Sequence, residues 1–254
     1  MRLRDKVAVI TGAASGIGAG TAEVFAEQGA RLVLVDRNDV GLEAVRAALA
    51  PRAAAVVACV GDVADPETAR RAVGLAINEF GRIDILFNNA GVMTSGPFDE
   101  LDEATWDTVL DVNLRGIFLM CRAAVPRMLA GGGGAIVNTS SAMAFLTEPG
   151  YEAYTTSKAG IVGLTKALAV SYAERGIRCN CILPGWVDTP MNRRLAEELG
   201  GLEQLTPIIK RQQPLPRMLT TREVGNAVLF LASDEASGIT GAALAVDGGA
   251  SAAI

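Results

Sequence analysis

Tyr154 and Lys158, in the run Tyr-Thr-Thr-Ser-Lys, are the residues with the clearest capacity for chemistry. Apolar residues recur around them at three- and four-residue spacing, which predicts a helix over residues 151–175 with one buried face. A positive charge about 4 Å from a phenolate, at an effective dielectric of about 20, stabilises it by roughly 4 kcal/mol, or about three pKa units. The spacing therefore predicts that Lys158 lowers the pKa of Tyr154 enough for proton transfer. The alternative is an ordinary core tyrosine beside a lysine that extends its ammonium to solvent.

The composition restricts which other chemistry is available. The chain contains no histidine, which excludes serine–histidine triads, cysteine–histidine pairs, HExxH zinc sites and histidine-based dehydrogenases. Acid–base work must therefore fall to tyrosine, lysine, aspartate, glutamate or cysteine. The four cysteines lie in apolar runs without CxxC spacing, which predicts buried, reduced thiols and no metal site.

The charge balance and the hydropathy pattern restrict the partners. A net charge of −5 without a basic run argues against nucleic acid or an anionic membrane surface as a partner. No apolar stretch approaches the roughly 18 residues of a membrane span, and no signal-peptide core precedes the first strand. We expect a cytoplasmic protein whose partner is a small-molecule substrate.

Short apolar runs alternate with helical patterns along the whole chain. Such runs are typical of strands buried on both faces of a parallel sheet. We therefore predict one α/β domain spanning residues 1–254: a doubly wound parallel sheet of seven strands, with helices on both faces. The predicted strands are 7–11, 31–36, 54–60, 83–87, 135–139, 177–183 and 242–246. The predicted helices are one after Gly18, then 66–80, 103–130, 151–175 and 221–232.

A glycine-rich turn joins the first strand to the first helix, in the spacing TGxxxGxG. Glycines here allow a pyrophosphate to approach the backbone amides and the helix N-terminus. The turn residues predicted to bind a cofactor are Gly12, Ser15, Gly16, Ile17 and Gly18.

Asp36 ends the second strand, where a dinucleotide fold hydrogen-bonds the adenosine ribose. A carboxylate repels a 2′-phosphate, so Asp36 favours NAD over NADP. Arg37 beside it weakens that preference, and the alternative role for Asp36 is a helix cap. Residues 188–218 are irregular and charged, and we interpret them as a mobile segment that covers the substrate, with a plain surface excursion as the alternative.

Other polar residues follow strands or interrupt an apolar helical face. Asp62, Asn88, Ser140 and Ser141 lie at carboxyl ends of predicted strands, where ligands bind in open α/β sheets. Asn113 interrupts the apolar face of the long helix, and a buried amide must be hydrogen-bonded. It either bonds neighbouring backbone or holds a water or a group near the cofactor.

Several of these motifs, in this order, resemble the short-chain dehydrogenase/reductase family over nearly the full length of the chain. The motifs are Thr11-Gly12-x-x-x-Gly16-x-Gly18, Asp62, Asn88-Asn89-Ala90-Gly91, Asn113, Ser141, Tyr154-x-x-x-Lys158 and Pro184-Gly185. The resemblance implies a Rossmann-type fold and a tyrosine-based alcohol/ketone redox reaction that uses a nicotinamide cofactor.

The resemblance also implies a role for each matching residue. Tyr154 would exchange the alcohol proton, Lys158 would hold the nicotinamide ribose, Ser141 would bind the substrate oxygen, and Asn113 would position a proton-relaying water. The remaining cofactor contacts that it implies are Asp62, Val63, Asn88, Asn89, Ala90, Gly91, Pro184, Gly185, Val187 and Thr189. Members of the family are usually homotetramers or homodimers.

The substrate is predicted only as a class, a secondary alcohol or its ketone, such as a polyol, sugar or cyclic alcohol. Its pocket is predicted from residues near the catalytic ones, namely Ser141, Met143, Tyr151, Tyr154, Trp186 and Met191. One alternative is an NADPH-dependent carbonyl reductase, for example of the 3-oxoacyl-carrier-protein type, which Asp36 argues against. Another is a dinucleotide sensor without catalysis, which would not need Ser141, Tyr154 and Lys158 together.

Overall fold

The computed structural model describes residues 1–253 and shows a seven-stranded parallel sheet, in the order β3-β2-β1-β4-β5-β6-β7. The strands are β1 (Val7–Thr11), β2 (Arg31–Asp36), β3 (Ala55–Val60), β4 (Ile85–Asn88), β5 (Gly134–Thr139), β6 (Ile177–Pro184) and β7 (Ala243–Val246). The seven predicted strands are therefore confirmed, with ends that shift by one or two residues. The order reverses direction between β1 and β4, and ligands bind beside such a reversal in open α/β sheets.

Nine α-helices lie within residues 1–253. They are α1 (Gly16–Glu27), α2 (Asp39–Leu49), α3 (Pro66–Phe80), α4 (Glu103–Leu110), α5 (Gly116–Ala130), α6 (Glu152–Tyr172), α7 (Pro190–Glu198), α8 (Leu202–Gln212) and α9 (Thr221–Ala232). All but α7 and α8 pack on the sheet or on the helices that cover it. The predicted helices did not include α2, although Leu42, Val45 and Leu49 recur at three- and four-residue spacing and pack on the core. The predicted doubly wound fold is otherwise confirmed.

Successive residues of each strand enter different cores, because side chains alternate across a strand. Ala8 and Ile10 pack with Phe25 of α1 and Val228 of α9 on one face. Val7 and Val9 pack on the other face with α3, α5 and α6. Both faces of the central strands are thus buried, which explains why their sequences show no polar alternation.

The helix predicted over residues 103–130 is interrupted. A π-helical segment, Asp111–Arg115, separates α4 from α5 and contains the buried Asn113. The wide turn accommodates the hydrogen bonds of the Asn113 side chain to Val92 and Ser157. Such π segments occur often at functional sites.

The segment predicted to be irregular, residues 188–218, contains two helices instead. Pro190 occupies the first turn of α7, where a missing N–H costs nothing, and Thr189 caps that helix. Ala196, Leu205 and Ile209 form a small core between α7 and α8, packed against Trp186 and Met218. Pro207 lies inside α8, whereas Pro214 and Pro216 follow that helix in a stretch that is irregular, as predicted.

Two further structural features concern ligands and membranes. Within residues 1–253, no helix combines the length and apolar character needed to span a bilayer. In the same range, no three Cys, Asp or Glu side chains are grouped to hold a metal ion.

Candidate active site

A cleft of about 1040 Å³ lies at the carboxyl ends of the strands and holds most of the predicted site residues. The predicted cofactor residues that line it are Gly12, Ser15, Gly16, Ile17, Asp36, Asp62, Val63, Asn89, Ala90, Gly91, Tyr154, Lys158, Pro184, Gly185, Val187 and Thr189. The predicted substrate residues Ser141, Met143, Tyr151, Trp186 and Met191 line the same cleft. The sheet thus brings residues from distant parts of the chain to one site.

The glycine-rich turn presents backbone to the cleft. Gly12 and Gly16 have φ of +64° and +55°, a conformation that favours glycine. Gly18 does not line the cleft, and its predicted contact with a cofactor stays a prediction. A Cβ at Gly18 would lie 2.0 Å from the carbonyl oxygen of Gly12, so this glycine allows the turn to close.

The N-terminus of α1 has no side-chain cap, unlike those of α2 and α3. Its N-cap residue, Ser15, makes no capping hydrogen bond, and the first turn contains no acidic residue. The caps of α2 and α3 accept backbone hydrogen bonds through Asn38 and Asp65. The first amides of α1 therefore remain available for an anionic group in the cleft.

The Asp36 carboxylate is fixed beside this turn. It accepts hydrogen bonds from the backbone N–H of Ala14 at 3.0 Å and of Asn38 at 2.9 Å. The residue that caps α2 is Asn38, so the helix-cap alternative for Asp36 is wrong. The Arg37 guanidinium is exposed and lies 3.9 Å from the carboxylate of Asp62.

Asn89 ties the end of β4 to the glycine-rich turn. Its side-chain amide donates to the carbonyls of Thr11 at 3.2 Å and Gly12 at 3.3 Å. The Thr11 hydroxyl accepts from the backbone N–H of Asn89 and Ala90, a role that sequence reasoning missed. Asn88 is buried away from the cleft and donates to Asn138, so its predicted position along the cofactor is wrong.

Lys158 is buried with its ammonium beside Tyr154. Its side chain is 3% exposed, and Nζ lies 5.4 Å from the centroid of the Tyr154 ring. The ammonium donates to the carbonyl oxygen of Thr139 at 3.0 Å, and Ser140 Oγ donates to the Lys158 carbonyl at 2.7 Å. The alternative in which Lys158 reaches bulk solvent is therefore wrong.

Burial shifts the pKa of both groups. It raises the pKa of Tyr154, and a hydrogen bond with Ser141 lowers it in part. Burial lowers the pKa of Lys158 to about 8. The spacing predicted a net lowering of the Tyr154 pKa. In the protein alone the pKa is raised instead, because loss of hydration destabilises the phenolate.

Asn113 lies behind the cleft wall and is fully buried. Its Nδ2 donates to the Val92 carbonyl at 2.9 Å and to Ser157 Oγ at 3.0 Å, and its Oδ1 accepts from the Val92 N–H at 2.8 Å. Ser157 Oγ in turn donates to the Tyr154 carbonyl at 2.7 Å. Asn113 therefore bonds neighbouring backbone, as one of the two sequence-based alternatives stated, and links the loop after β4 to α6.

Several other polar residues of the cleft were not predicted. Ser95, Glu148 and Gln212 come from three separate segments and carry no local pattern. Arg194, Glu198 and Arg211 belong to α7 and α8, which were not predicted as helices. If the two helices in residues 188–218 had been predicted, their apolar faces would have indicated which of their charged side chains point away from the small core.

The fold, the glycine-rich turn and the Tyr154–Lys158 pair define a class of protein, and comparison with known families agrees. A family model described as Enoyl-(Acyl carrier protein) reductase matches residues 12–251. The chain belongs to the short-chain dehydrogenase/reductase family. It is an oxidoreductase that transfers a hydride between a nicotinamide cofactor and a secondary alcohol or ketone.

Three individual proteins show how similar the relatives are. The chain is 44% identical to D-threitol dehydrogenase of Mycolicibacterium smegmatis, over 98% of this chain and 94% of that one. It superposes on the crystal structure of levodione reductase with a TM-score of 0.96 and 37% identity, over the whole of both chains. The L-sorbose reductase of Gluconobacter frateurii, solved with NADPH and L-sorbose, gives a TM-score of 0.95 and 34% identity, also over both whole chains.

The residues of the cleft fit a nicotinamide dinucleotide. The uncapped amides of α1 suit its pyrophosphate, and Asp36 offers acceptor oxygens at the end of β2 for ribose hydroxyls. Lys158 supplies an ammonium on the cleft surface near Tyr154.

The lowered pKa of Lys158 predicts a pH-dependent cost in stability. Between pH 8 and pH 10.5 the unfolded chain holds the Lys158 proton and the folded chain does not, so the free energy of unfolding rises with pH in this range. The gain is lost again as the pH falls from 10.5 to 8, where the folded chain takes up the proton. We expect the unfolding free energy of the wild type, relative to Lys158→Met, to increase by about 3 kcal/mol from about pH 7 to about pH 10. Denaturant titrations of both proteins measure this difference, and a pH-independent difference would contradict the lowered pKa.

Proposed function

We propose that the protein is an NAD-dependent dehydrogenase of a secondary alcohol, of the polyol, sugar or cyclic type, with Tyr154 as its proton-transfer group. The observation that carries this proposal is the buried contact between Lys158 and Tyr154, beside Ser141, in the cleft that also contains the glycine-rich turn. The names of the relatives, a threitol dehydrogenase and a sorbose reductase, support the substrate class.

In the proposed reaction, the alcohol O–H proton passes to the Tyr154 phenolate. The nicotinamide cofactor, when bound, supplies the acceptor for the hydride that leaves the same carbon. Ser141 hydrogen-bonds the reacting oxygen, and Lys158 binds the ribose of the cofactor while its charge favours the phenolate. Asn113 is a positioning residue, because its amide holds the loop at Val92 and, through Ser157, the start of α6.

The raised pKa of Tyr154 gives the reaction a direction of pH dependence. Burial keeps the phenol protonated near neutral pH in the protein alone. Oxidation needs the phenolate as the base, whereas ketone reduction needs the phenol as the acid. Alkaline conditions should therefore favour oxidation, and neutral conditions should favour reduction.

Tyr154→Phe tests the proposed base. We expect kcat for alcohol oxidation to fall at least about a thousandfold, because the variant keeps the ring but has no ionisable hydroxyl. NAD binding should change by less than about threefold, which separates a chemical defect from a folding defect. Tyr172→Phe, which removes a hydroxyl at the far end of α6, is the control. Turnover at the wild-type rate in Tyr154→Phe would overturn the mechanism.

The preference for NAD rests on the carboxylate of Asp36. Two of its lone pairs are occupied by the Ala14 and Asn38 amides, and the others face the cleft as acceptors for ribose hydroxyls. A 2′-phosphate about 4 Å away would be repelled by about 1 to 4 kcal/mol for each unit of charge. Arg37 works in the opposite direction, but its guanidinium lies near Asp62, which competes for it.

Asp36→Asn tests this preference. We expect the wild type to bind NADH at least about tenfold more tightly than NADPH, and the variant to lose most of that ratio. Asp39→Asn removes the same charge three residues away, from an exposed position at the start of α2, and should leave the ratio unchanged. Cofactor fluorescence titration measures both dissociation constants. An equal ratio in the wild type and in Asp36→Asn would contradict the proposal.

We also propose that the protein is cytoplasmic and forms homo-oligomers, most simply a homotetramer. Its four cysteines are buried free thiols, which supports a reducing compartment. Leu110, Leu114, Phe118 and Leu164 line an apolar groove on α4, α5 and α6. Phe118 is 47% exposed, and Val170 of α6 is 85% exposed. Exposed apolar side chains of this kind support a self-association surface here.

Phe118→Glu tests the association. We expect the variant to elute with a smaller mass than the wild type in size-exclusion chromatography with light scattering, because a charge would be buried at the contact. Val40→Glu, which places the same charge at an exposed residue of α2, is the control. Equal masses for wild type and Phe118→Glu would exclude this surface as the interface.

A further inference from the structure

A chain of hydrogen bonds forms part of the outer wall of the cleft. The indole N–H of Trp186 donates to Oε1 of Gln212 at 2.9 Å, and Nε2 of Gln212 donates to the carboxylate of Glu148. Trp186 follows β6, Gln212 ends α8, and Glu148 lies between β5 and α6. Three segments that are far apart in sequence therefore meet at this wall, and all three side chains line the cleft.

The chemistry of these groups fixes their orientation. The Trp186 indole can only donate, so the carbonyl end of the Gln212 amide must face it. The NH₂ end then faces Glu148, whose ionised carboxylate can only accept. Because Gln212 occupies Oε1 of Glu148, Oε2 remains an acceptor held at the cleft surface. Such an oxygen selects for a group that donates a hydrogen bond.

Tyr151 adds a hydroxyl to the same region. Its side chain lines the cleft, as does Ser95. Burial raises the pKa of Tyr151, Ser95 lowers it in part, and the negative charges of Glu148 and Glu198 raise it further. The phenol therefore stays protonated and can both donate and accept. A backbone hydrogen bond of 3.1 Å, from Gly96 to Gly150, holds the loops of Ser95 and Tyr151 together.

We propose that Glu148, positioned by Gln212, and Tyr151 form a subsite for a second hydroxyl group of the substrate. The inference rests on the proposed function and deepens it by naming the substrate class: uncharged compounds with two or more hydroxyl groups. The free oxygen of Glu148 accepts the hydroxyl proton of such a compound, and Tyr151 bonds its oxygen. The same carboxylate disfavours a substrate that carries a carboxylate of its own.

Arg194 and Arg211 also line the cleft, and their positive charges would instead suit an anionic substrate. Both are exposed, as Glu148 is, but within residues 1–253 no hydrogen bond holds either arginine side chain, whereas Gln212 donates to the Glu148 carboxylate. Ordering a free arginine on binding costs more side-chain entropy than using a group that is already held. The fixed carboxylate of Glu148 therefore favours the polyol class.

The test compares secondary alcohols that share a four-carbon chain or a six-membered ring and differ in one further group. Butan-2-ol, butane-2,3-diol and 3-hydroxybutyrate form a four-carbon set, and cyclohexanol, cyclohexane-1,2-diol and 3-hydroxycyclohexanecarboxylate form a ring set. Steady-state rates with NAD give kcat/KM for each compound. In at least one set, we expect the wild type to prefer the diol at least about tenfold over both other members.

Glu148→Gln keeps the size of the side chain and removes its charge. We expect kcat/KM for the preferred diol to fall about tenfold, equivalent to about 1.4 kcal/mol. The value for the simple alcohol should stay within about twofold, and the value for the hydroxy acid should rise. Gln212→Ala should raise KM for the diol with little change in kcat, because it removes positioning only. Glu174→Gln, which neutralises an exposed glutamate next to the amino end of β6, is the matched control.

Two results would overturn the subsite. One is an equal effect of Glu148→Gln on the diol and the simple alcohol. The other is a wild-type preference for the hydroxy acid that Arg211→Gln abolishes, which would assign an anion-binding role to the arginines. A failure of the proposed function looks different, because no alcohol of either set would then be oxidised although NAD binds. That result would also remove the basis of the subsite.

Discussion

The buried ammonium of Lys158 is the constraint on which the site depends. A charge that is 3% exposed must be compensated, and its bond to the Thr139 carbonyl draws α6 against the end of β5. The Ser140 hydroxyl completes the connection by donating to the Lys158 backbone. These bonds fix the distance from the ammonium to the Tyr154 ring, and they place Ser141 beside the phenol. Burial of the ammonium costs stability, and it holds a positive charge beside Tyr154 in the cleft.

The parallel sheet brings the other half of the site to this pair. Every strand presents its carboxyl end at one edge, and the reversal between β1 and β4 opens a crevice there. Asn89 and the Thr11 hydroxyl fasten the two strands across that crevice. The uncapped start of α1 and the carboxylate of Asp36 then face the cleft at the cofactor end. The groups proposed to hold the dinucleotide are thus mainly backbone amides, whose positions the sheet determines.

The substrate end is built on different principles. Its walls come from the loops after β4 and β5 and from α7 and α8, and they are held by side-chain bonds such as Trp186 to Gln212. The small core of Ala196, Leu205 and Ile209 lets α7 and α8 stand over the cleft with few ties to the sheet. A rigid cofactor end combined with an adaptable substrate end is typical of folds that serve many substrates.

The sequence by itself determined the strands, the glycine-rich turn, Asp36 and the Tyr154–Lys158 spacing, because each follows from periodicity or from residues adjacent in the chain. Tertiary structure decided the rest. The π segment at Asn113 exists because its amide bonds Val92, 21 residues away in sequence. Glu148 and Gln212 are 64 residues apart, and their side chains come into contact only when α8 folds over the cleft. The direction of the Tyr154 pKa shift was likewise beyond the sequence, because spacing reveals a neighbouring charge, whereas hydration depends on everything packed around the phenol.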